Sequence, residues 1–211
     1  MARGKFITFE GGEGCGKSTQ VKRLKEELTL RGYEVLLTRE PGGTKLAEEI
    51  RHLIKDQTFE APTDRCELLL FLAARAQLVR EVINPARERG AWVISDRFSD
   101  STFAYQGYGR GLNVDELKRM NDFACEGLKP DLTFLLEVSE ETSLNRRLGR
   151  ERATSTQADR IESAGREFHH RLAEGFKCLA LAEPERIKVI DANLSVDEVW
   201  EQIWKLMKPI V

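Results

Sequence analysis

The stretch Lys5-Phe-Ile-Thr-Phe-Glu-Gly-Gly-Glu-Gly-Cys-Gly-Lys-Ser18 decides how the chain folds. Lys5 to Glu10 is a short apolar run ended by glycines, the pattern of a buried strand. From Lys17 the apolar residues Val21, Leu24 and Leu28 recur at helical spacing until Gly32 stops them. The local order is therefore strand, glycine loop, helix. The loop from Gly11 to Ser18 reads G-x4-G-K-[ST], which average composition produces by chance in roughly one chain of this length in a hundred. Gly11, Gly12, Gly14 and Gly16 let successive backbone N–H groups converge on phosphate oxygens, and the helix start adds its positive end. Lys17 supplies a point charge and Ser18 a hydroxyl for Mg2+. The segment Gly11-Gly12-Glu13-Gly14-Cys15-Gly16-Lys17-Ser18-Thr19 is thus expected to hold the phosphates of a nucleoside triphosphate.

Two residues of the loop leave alternatives open. Glu13 is repelled by triphosphate oxygens, so it faces either a hydroxyl donor on a second substrate or solvent. Cys15 would favour a reactive thiolate if exposed, and is otherwise a small filler turned towards the sheet.

Outward from this stretch the same alternation continues. Glu34–Arg39, Ala91–Asp96, Leu132–Glu137 and Ile187–Asp191 read as further strands, each flanked by helical stretches. Leu46, Ile50, Leu53 and Ile54 mark one helix face, and a long apolar helix is expected from about Asp64 to Glu88, bent before Pro85. The fold expected is α/β, a five-stranded parallel sheet covered by helices on both faces, forming one domain over 1–211. Between Arg146 and Arg171 stand seven arginines against four carboxylates, and Glu151 to Ala158 has no apolar periodicity. That part reads either as a mobile arginine-bearing loop or as a solvated charged face.

Composition narrows the partners. A formal net charge of −2 gives no global positive field for a nucleic-acid polymer or an anionic membrane. The longest purely apolar run, Leu68 to Ala74, is far short of a membrane span, and the short start Met-Ala-Arg-Gly-Lys is not expected to act as a secretory leader. The four cysteines lack the close spacing of a zinc site or redox pair, which suits free thiols and a cytoplasmic location.

Asp96-Arg97-Phe98 puts a carboxylate and a guanidinium at the end of the third strand, where open α/β sheets bind ligands. Asp96 can hold Mg2+ or its waters, and Arg97 can grip a phosphate in bidentate fashion. Arg39-Glu-Pro-Gly-Gly-Thr44 puts a similar pair at the end of the second strand. Either pair alone could be a structural ion pair; two of them beside a phosphate loop favour an acceptor that is itself phosphorylated. Neither a guanine-reading N-K-x-D segment nor an L-S-G-G-Q signature occurs.

These motifs, with Leu69-Leu-Phe-Leu-Ala-Ala-Arg75, Ser101-Thr-Phe-Ala-Tyr-Gln-Gly107 and Asp159-Arg-Ile-Glu162, resemble the bacterial thymidylate kinase family in order and spacing. The resemblance implies a P-loop NTPase fold with a lid at about 146–162, a homodimer, and transfer of phosphate from ATP to dTMP with Mg2+ at Ser18 and Asp96. It implies that Arg39 and Arg97 hold the dTMP phosphate, Phe71 stacks on thymine and Arg75 bonds its edge. Ser101, Thr102 and Gln106 resemble the remaining base and phosphate contacts, Tyr105 the residue that crowds a ribose 2′-hydroxyl, and Glu13 the carboxylate that receives the sugar 3′-hydroxyl. Eukaryotic relatives carry an arginine where this chain has Gly14, so Arg150 and Arg152 become the catalytic arginines beside Lys17, Asp96 and Arg97. Asp191-Ala192-Asn193 resembles the loop flanking adenine. A deoxynucleoside kinase and a nucleotide-gated binding module are the competing readings; the first would need a carboxylate base in place of paired arginines.

Overall fold

The computed structural model describes residues 3–56, 58, 60–154 and 165–211, without the side chains of 150–154. Strands β1 (Phe6–Glu10), β2 (Val35–Arg39), β3 (Trp92–Asp96), β4 (Leu132–Glu137) and β5 (Ile187–Asp191) form one parallel sheet in the order β2-β3-β1-β4-β5. Parallel neighbours require crossovers, and helices supply them: α1 (Lys17–Leu30), α2 (Lys45–Lys55), α3 (Asp64–Leu78), α4 (Asn84–Glu88), α5 (Ser99–Thr102), α6 (Val114–Ala124), α7 (Glu140–Thr154) and α8 (Arg166–Ala182), with α9 (Val196–Met207) following β5. The chain leaves β1 towards β2 on one side and later reaches β4 on the other. This makes the carboxyl end of β1 a topological switch point, where ligands bind.

The period-2 alternation of β1 divides the core. Ile7 and Phe9 pack with Leu24, Leu28, Ile203 and Met207 of α1 and α9, whereas Phe6 packs with Leu78, Ile83 and Phe98 on the opposite face. Cys15 joins the first cluster at 2% exposure, so it is the buried filler. Edge strand β2, paired only with β3, is partly exposed along its length. Among the described residues, no helix is long and apolar enough to cross a membrane.

Two expectations need adjustment. The helix from Asp64 to Glu88 is continuous but passes from α3 to α4 through a π-helical turn, Val79–Ile83. Pro85 lacks an N–H and its ring crowds the carbonyl four residues earlier, and the wider turn accommodates it. The stretch from Glu151, expected as a loop, begins as helix: α7 runs through Thr154, carried by good helix formers without an apolar stripe.

A buried polar cluster on the Phe6 face positions the region after β3. Glu10, the last residue of β1, is fully buried and accepts hydrogen bonds from Phe98 N (2.8 Å), Ser101 N (3.3 Å) and Ser101 Oγ (2.5 Å). These bonds pin the turn in which Arg97 takes a left-handed φ of 74°, rare for a side-chain-bearing residue. From that turn α5 runs into a π-helical segment, Phe103–Gly109. Burial, with Asp100 nearby, pushes the Glu10 carboxyl up to about 7 against the opposing pull of Ser101, Arg97 and Phe98.

Two outcomes follow for stability. A Cβ on Gly11 would collide with the Leu136 carbonyl oxygen at a φ of +133°, whereas one on Gly12 meets nothing within 4 Å. Gly11→Ala is therefore expected to lose about 1–3 kcal/mol in urea unfolding, with Gly12→Ala close to neutral. Glu10 binds its proton more tightly folded than unfolded, so its contribution to stability falls as pH rises from about 4.5 to about 7 and is constant above. Thermal melts at pH 5 to 8 are expected to show this decline in the parent and a flatter profile in Glu10→Gln.

Candidate active site

A cavity of about 680 Å³ opens at the carboxyl ends of β1, β2 and β3. Its wall gathers Glu13, Gly14, Gly16, Lys17, Ser18 and Thr19 from the loop and the start of α1, Arg39 at the end of β2, Phe71 and Arg75 from α3, Asp96 and Arg97 at the exit of β3, and Ser101, Thr102, Tyr105 and Gln106 from α5 and the π-helical segment. Residues as far apart in sequence as Glu13 and Gln106 thus meet around one space, shared by the expected acceptor residues and by the expected phosphate-loop residues except Gly11, Gly12 and Cys15.

Gly16, at a φ of 91°, ends the loop and lets α1 begin at Lys17. The Lys17 ammonium folds back over the loop, donating to Gly11 O (3.0 Å), Gly12 O (2.9 Å) and Cys15 Sγ (3.4 Å). Ser18 Oγ donates to Asp96 Oδ2 at 3.0 Å, which places two oxygen ligands of the kind Mg2+ uses side by side next to the loop.

The ion pairs are not those between sequence neighbours. Arg97 donates to Glu13 Oε1 (2.7 Å), Gly11 O (3.0 Å) and Ser101 Oγ (3.1 Å), with its guanidinium 5.1 Å from the Tyr105 ring centre. Burial disfavours the Arg97 cation, and Tyr105, Glu13, Asp96 and Glu10 outweigh it, so the group stays charged. Arg39, half exposed, donates to both oxygens of Glu48 (3.1 and 3.0 Å), and Glu48 also accepts from Gly43 N (2.9 Å). Glu40, adjacent to Arg39, turns inward to Arg75.

Arg75 is 1% exposed. Its Nε and Nη2 donate to Glu40 Oε2 (2.8 and 2.5 Å), Nη1 to Asn121 Oδ1 (2.9 Å) and Nη2 to Thr102 Oγ1 (2.9 Å), leaving one Nη1 hydrogen for a ligand. Phe71, one turn earlier on α3, lines the cavity with it. Burial pushes the Glu40 carboxyl up while Arg75 pulls it down. Removing Arg75 would therefore strand a buried carboxyl as well as alter the base wall. Gln106 is 1% exposed, donates Nε2 to Glu67 Oε1 (3.0 Å), and has no partner for its Oε1.

Asp191, Ala192 and Asn193 lie outside this cavity, at the end of β5. They connect to it through Arg146, which donates to Ala192 O (2.8 Å) and approaches Gly14 O (3.5 Å). Asn193 Oδ1 accepts from Ser139 N (2.9 Å), and Ser143 Oγ donates to Glu13 O (2.7 Å), so the base of α7 is tied to both loops. The side chains of Arg150 and Arg152, and the segment containing Asp159 to Glu162, lie outside the described residues.

Sequence reading did not single out Glu10, Glu67, Arg146 or His169, of which Arg146 and His169 line the cavity. Arg146 had a signal, heading the arginine-rich stretch. Glu10 closes an otherwise apolar strand, an anomaly that marks it. Glu67 and His169 had no signal, because Glu67 owes its place to the contact of α3 with Gln106, and His169 to α8 packing beside the π-helical segment.

Residues 9–203 match the sequence profile of the family described as thymidylate kinase. Thymidylate kinase of Roseiflexus castenholzii is 45% identical over 97% of this chain and 93% of its own, and that of Geotalea daltonii is 48% identical over 92% of each. The crystal structure of thymidylate kinase from Ehrlichia chaffeensis superposes with a TM-score of 0.76 at 33% identity, covering 97% of this chain and 99% of that one. With its parallel sheet, its phosphate loop and this similarity along nearly its whole length, the chain belongs to the thymidylate kinase family.

Proposed function

We propose that the chain transfers the γ-phosphoryl group of ATP to dTMP, giving dTDP and ADP, as one domain over 1–211 with a lid at about 146–162. The observation that carries this reading is the presence of two cationic sets in one cavity: Lys17 in the phosphate loop, and Arg97 with Arg39 at the neighbouring strand ends. A nucleoside acceptor would not need the second set; a nucleoside monophosphate does.

The loop N–H groups and Lys17 hold the ATP phosphates, and an oxygen of the dTMP phosphate attacks the γ-phosphorus in line while its bond to the ADP oxygen breaks. Little deprotonation of the acceptor is required, so the protein's work is placement and charge neutralisation. Ser18 and Asp96 would hold Mg2+, which when bound supplies positive charge to the phosphate oxygens. Arrival of the dTMP phosphate at Arg97 competes with Glu13 and frees that carboxylate to accept the sugar 3′-hydroxyl. Phe71 stacks on thymine, the remaining Arg75 hydrogen meets its edge, and Ser101, Thr102 and Gln106 complete the base and phosphate contacts. Tyr105, packed under Arg97, fills the space of a ribose 2′-hydroxyl.

Arg150 and Arg152 act on the transferring phosphate in place of an arginine at Gly14. Asp191, Ala192 and Asn193, joined to the loop by Arg146, flank adenine. Leu53, Leu69 and Phe123, exposed on α2, α3 and α6, support a homodimer. The cytoplasm is the setting that four free cysteines and nucleotide substrates favour.

Incubation with ATP and Mg2+ is expected to convert dTMP to dTDP and to leave thymidine unphosphorylated; phosphorylation of thymidine instead, or ATP hydrolysis alone, would overturn the reading. In calorimetry, Phe71→Ala is expected to weaken dTMP binding by about 1–3 kcal/mol, the worth of a base stacked on an aromatic ring, with ATP binding little changed.

A further inference from the structure

Glu67 lies in the first turn of α3, is 2% exposed and is not part of the cavity wall. Its Oε1 accepts from Gln106 Nε2 (3.0 Å) and Arg110 Nε (3.3 Å), and its Oε2 accepts from Arg110 Nη2 (3.1 Å). Arg110 is itself held against the Phe168 ring, 5.0 Å from its centre, and near Asp64 at 3.6 Å. A carboxylate facing a guanidinium offers only acceptors, so only the NH2 end of the Gln106 amide can face it. The amide therefore has one permitted orientation. Its Oε1 is left buried, on a residue of the cavity wall, without a donor from the protein, and a ligand in the cavity can bring one.

We propose that Glu67, without touching substrate, is a positioning residue that makes the site select a pyrimidine bearing N3–H by locking the Gln106 amide with its oxygen towards the base. The inference rests on the proposed dTMP reading and adds its basis for excluding cytosine. Thymine and uracil present N3–H to the oxygen, whereas neutral cytosine presents a lone pair, and two acceptors then face each other. In Glu67→Gln the new amide can donate to Gln106 Oε1, which permits the reversed orientation with NH2 towards the cavity.

The test compares kcat/KM for dTMP, dUMP and dCMP in the parent and in Glu67→Gln, with Glu67→Ala as a second variant and melting curves to establish folding. The ratio of dTMP to dCMP is expected to fall at least about tenfold, through gain on dCMP, because an acceptor mismatch is removed. The ratio of dTMP to dUMP, which differ only in the C5-methyl group, is expected to stay within about twofold, a result that general loosening of the site would not give. An N3-methylated dTMP offered to the parent protein is expected to be rejected like dCMP. Unchanged dTMP to dCMP ratios in the variants, parallel changes on all three nucleotides, or acceptance of the N3-methyl compound would overturn the inference while leaving dTMP phosphorylation intact. A parent protein that makes no dTDP would overturn the proposed function, and this inference with it.

Discussion

Burial of the Glu10 carboxyl at the end of β1 is the constraint on which the site's geometry depends. Its two oxygens receive two backbone N–H groups and a hydroxyl from Phe98 and Ser101, and this binds the exit of β3 to the exit of β1. Arg97 is forced into the left-handed region by that turn, and its guanidinium is thereby brought over Gly11 and Glu13. The same turn sets where α5 begins, and hence where Ser101, Thr102, Tyr105 and Gln106 stand.

Around this point the charges are exchanged between elements. Asp96 meets Ser18, Arg97 meets Glu13, Arg39 meets Glu48 and Glu40 meets Arg75, so each pair links two segments distant in the chain or separated by a turn. The pairs differ in what binding would require of them. Glu40 and Arg75 are both buried and reinforced by Asn121 and Thr102, so they act as fixed wall. Arg39 with Glu48 is solvent-screened, and Arg97 with Glu13 stands at the cavity edge, so an entering phosphate can compete for both guanidinium groups.

Gln106 illustrates how a neutral residue becomes selective through its surroundings. An isolated amide offers a donor and an acceptor and can turn either way. Pinned between Glu67 and the cavity, it offers one of the two, and the information resides in a carboxylate on another helix. The π-helical segment contributes as well, because its wider turns keep Tyr105 and Gln106 on the cavity side while Gly109 lies against Phe168 of α8.

Much of this was legible in the chain itself. The strand from Phe6 to Glu10, the glycine loop and the helix from Lys17 follow from local pattern, since apolar runs, positive-φ glycines and helical periodicity are each set by neighbours in sequence. The other four strands were legible for the same reason, and Arg39, Asp96 and Arg97 were named from motifs at strand ends, whereas Phe71, Arg75, Ser101, Thr102, Tyr105 and Gln106, all on helical segments, came only from the family resemblance. Local pattern does not specify which charge meets which, so Arg39 beside Glu40 looked like a pair until α2 brought Glu48 and α3 brought Arg75. Cys15 likewise could be assigned to solvent or core only after the loop had been laid against the sheet. Sequence determined the elements, because backbone preference and burial pattern are local; tertiary structure alone decided the partners, because hydrogen bonds and ion pairs form between whichever groups the packed helices bring within reach.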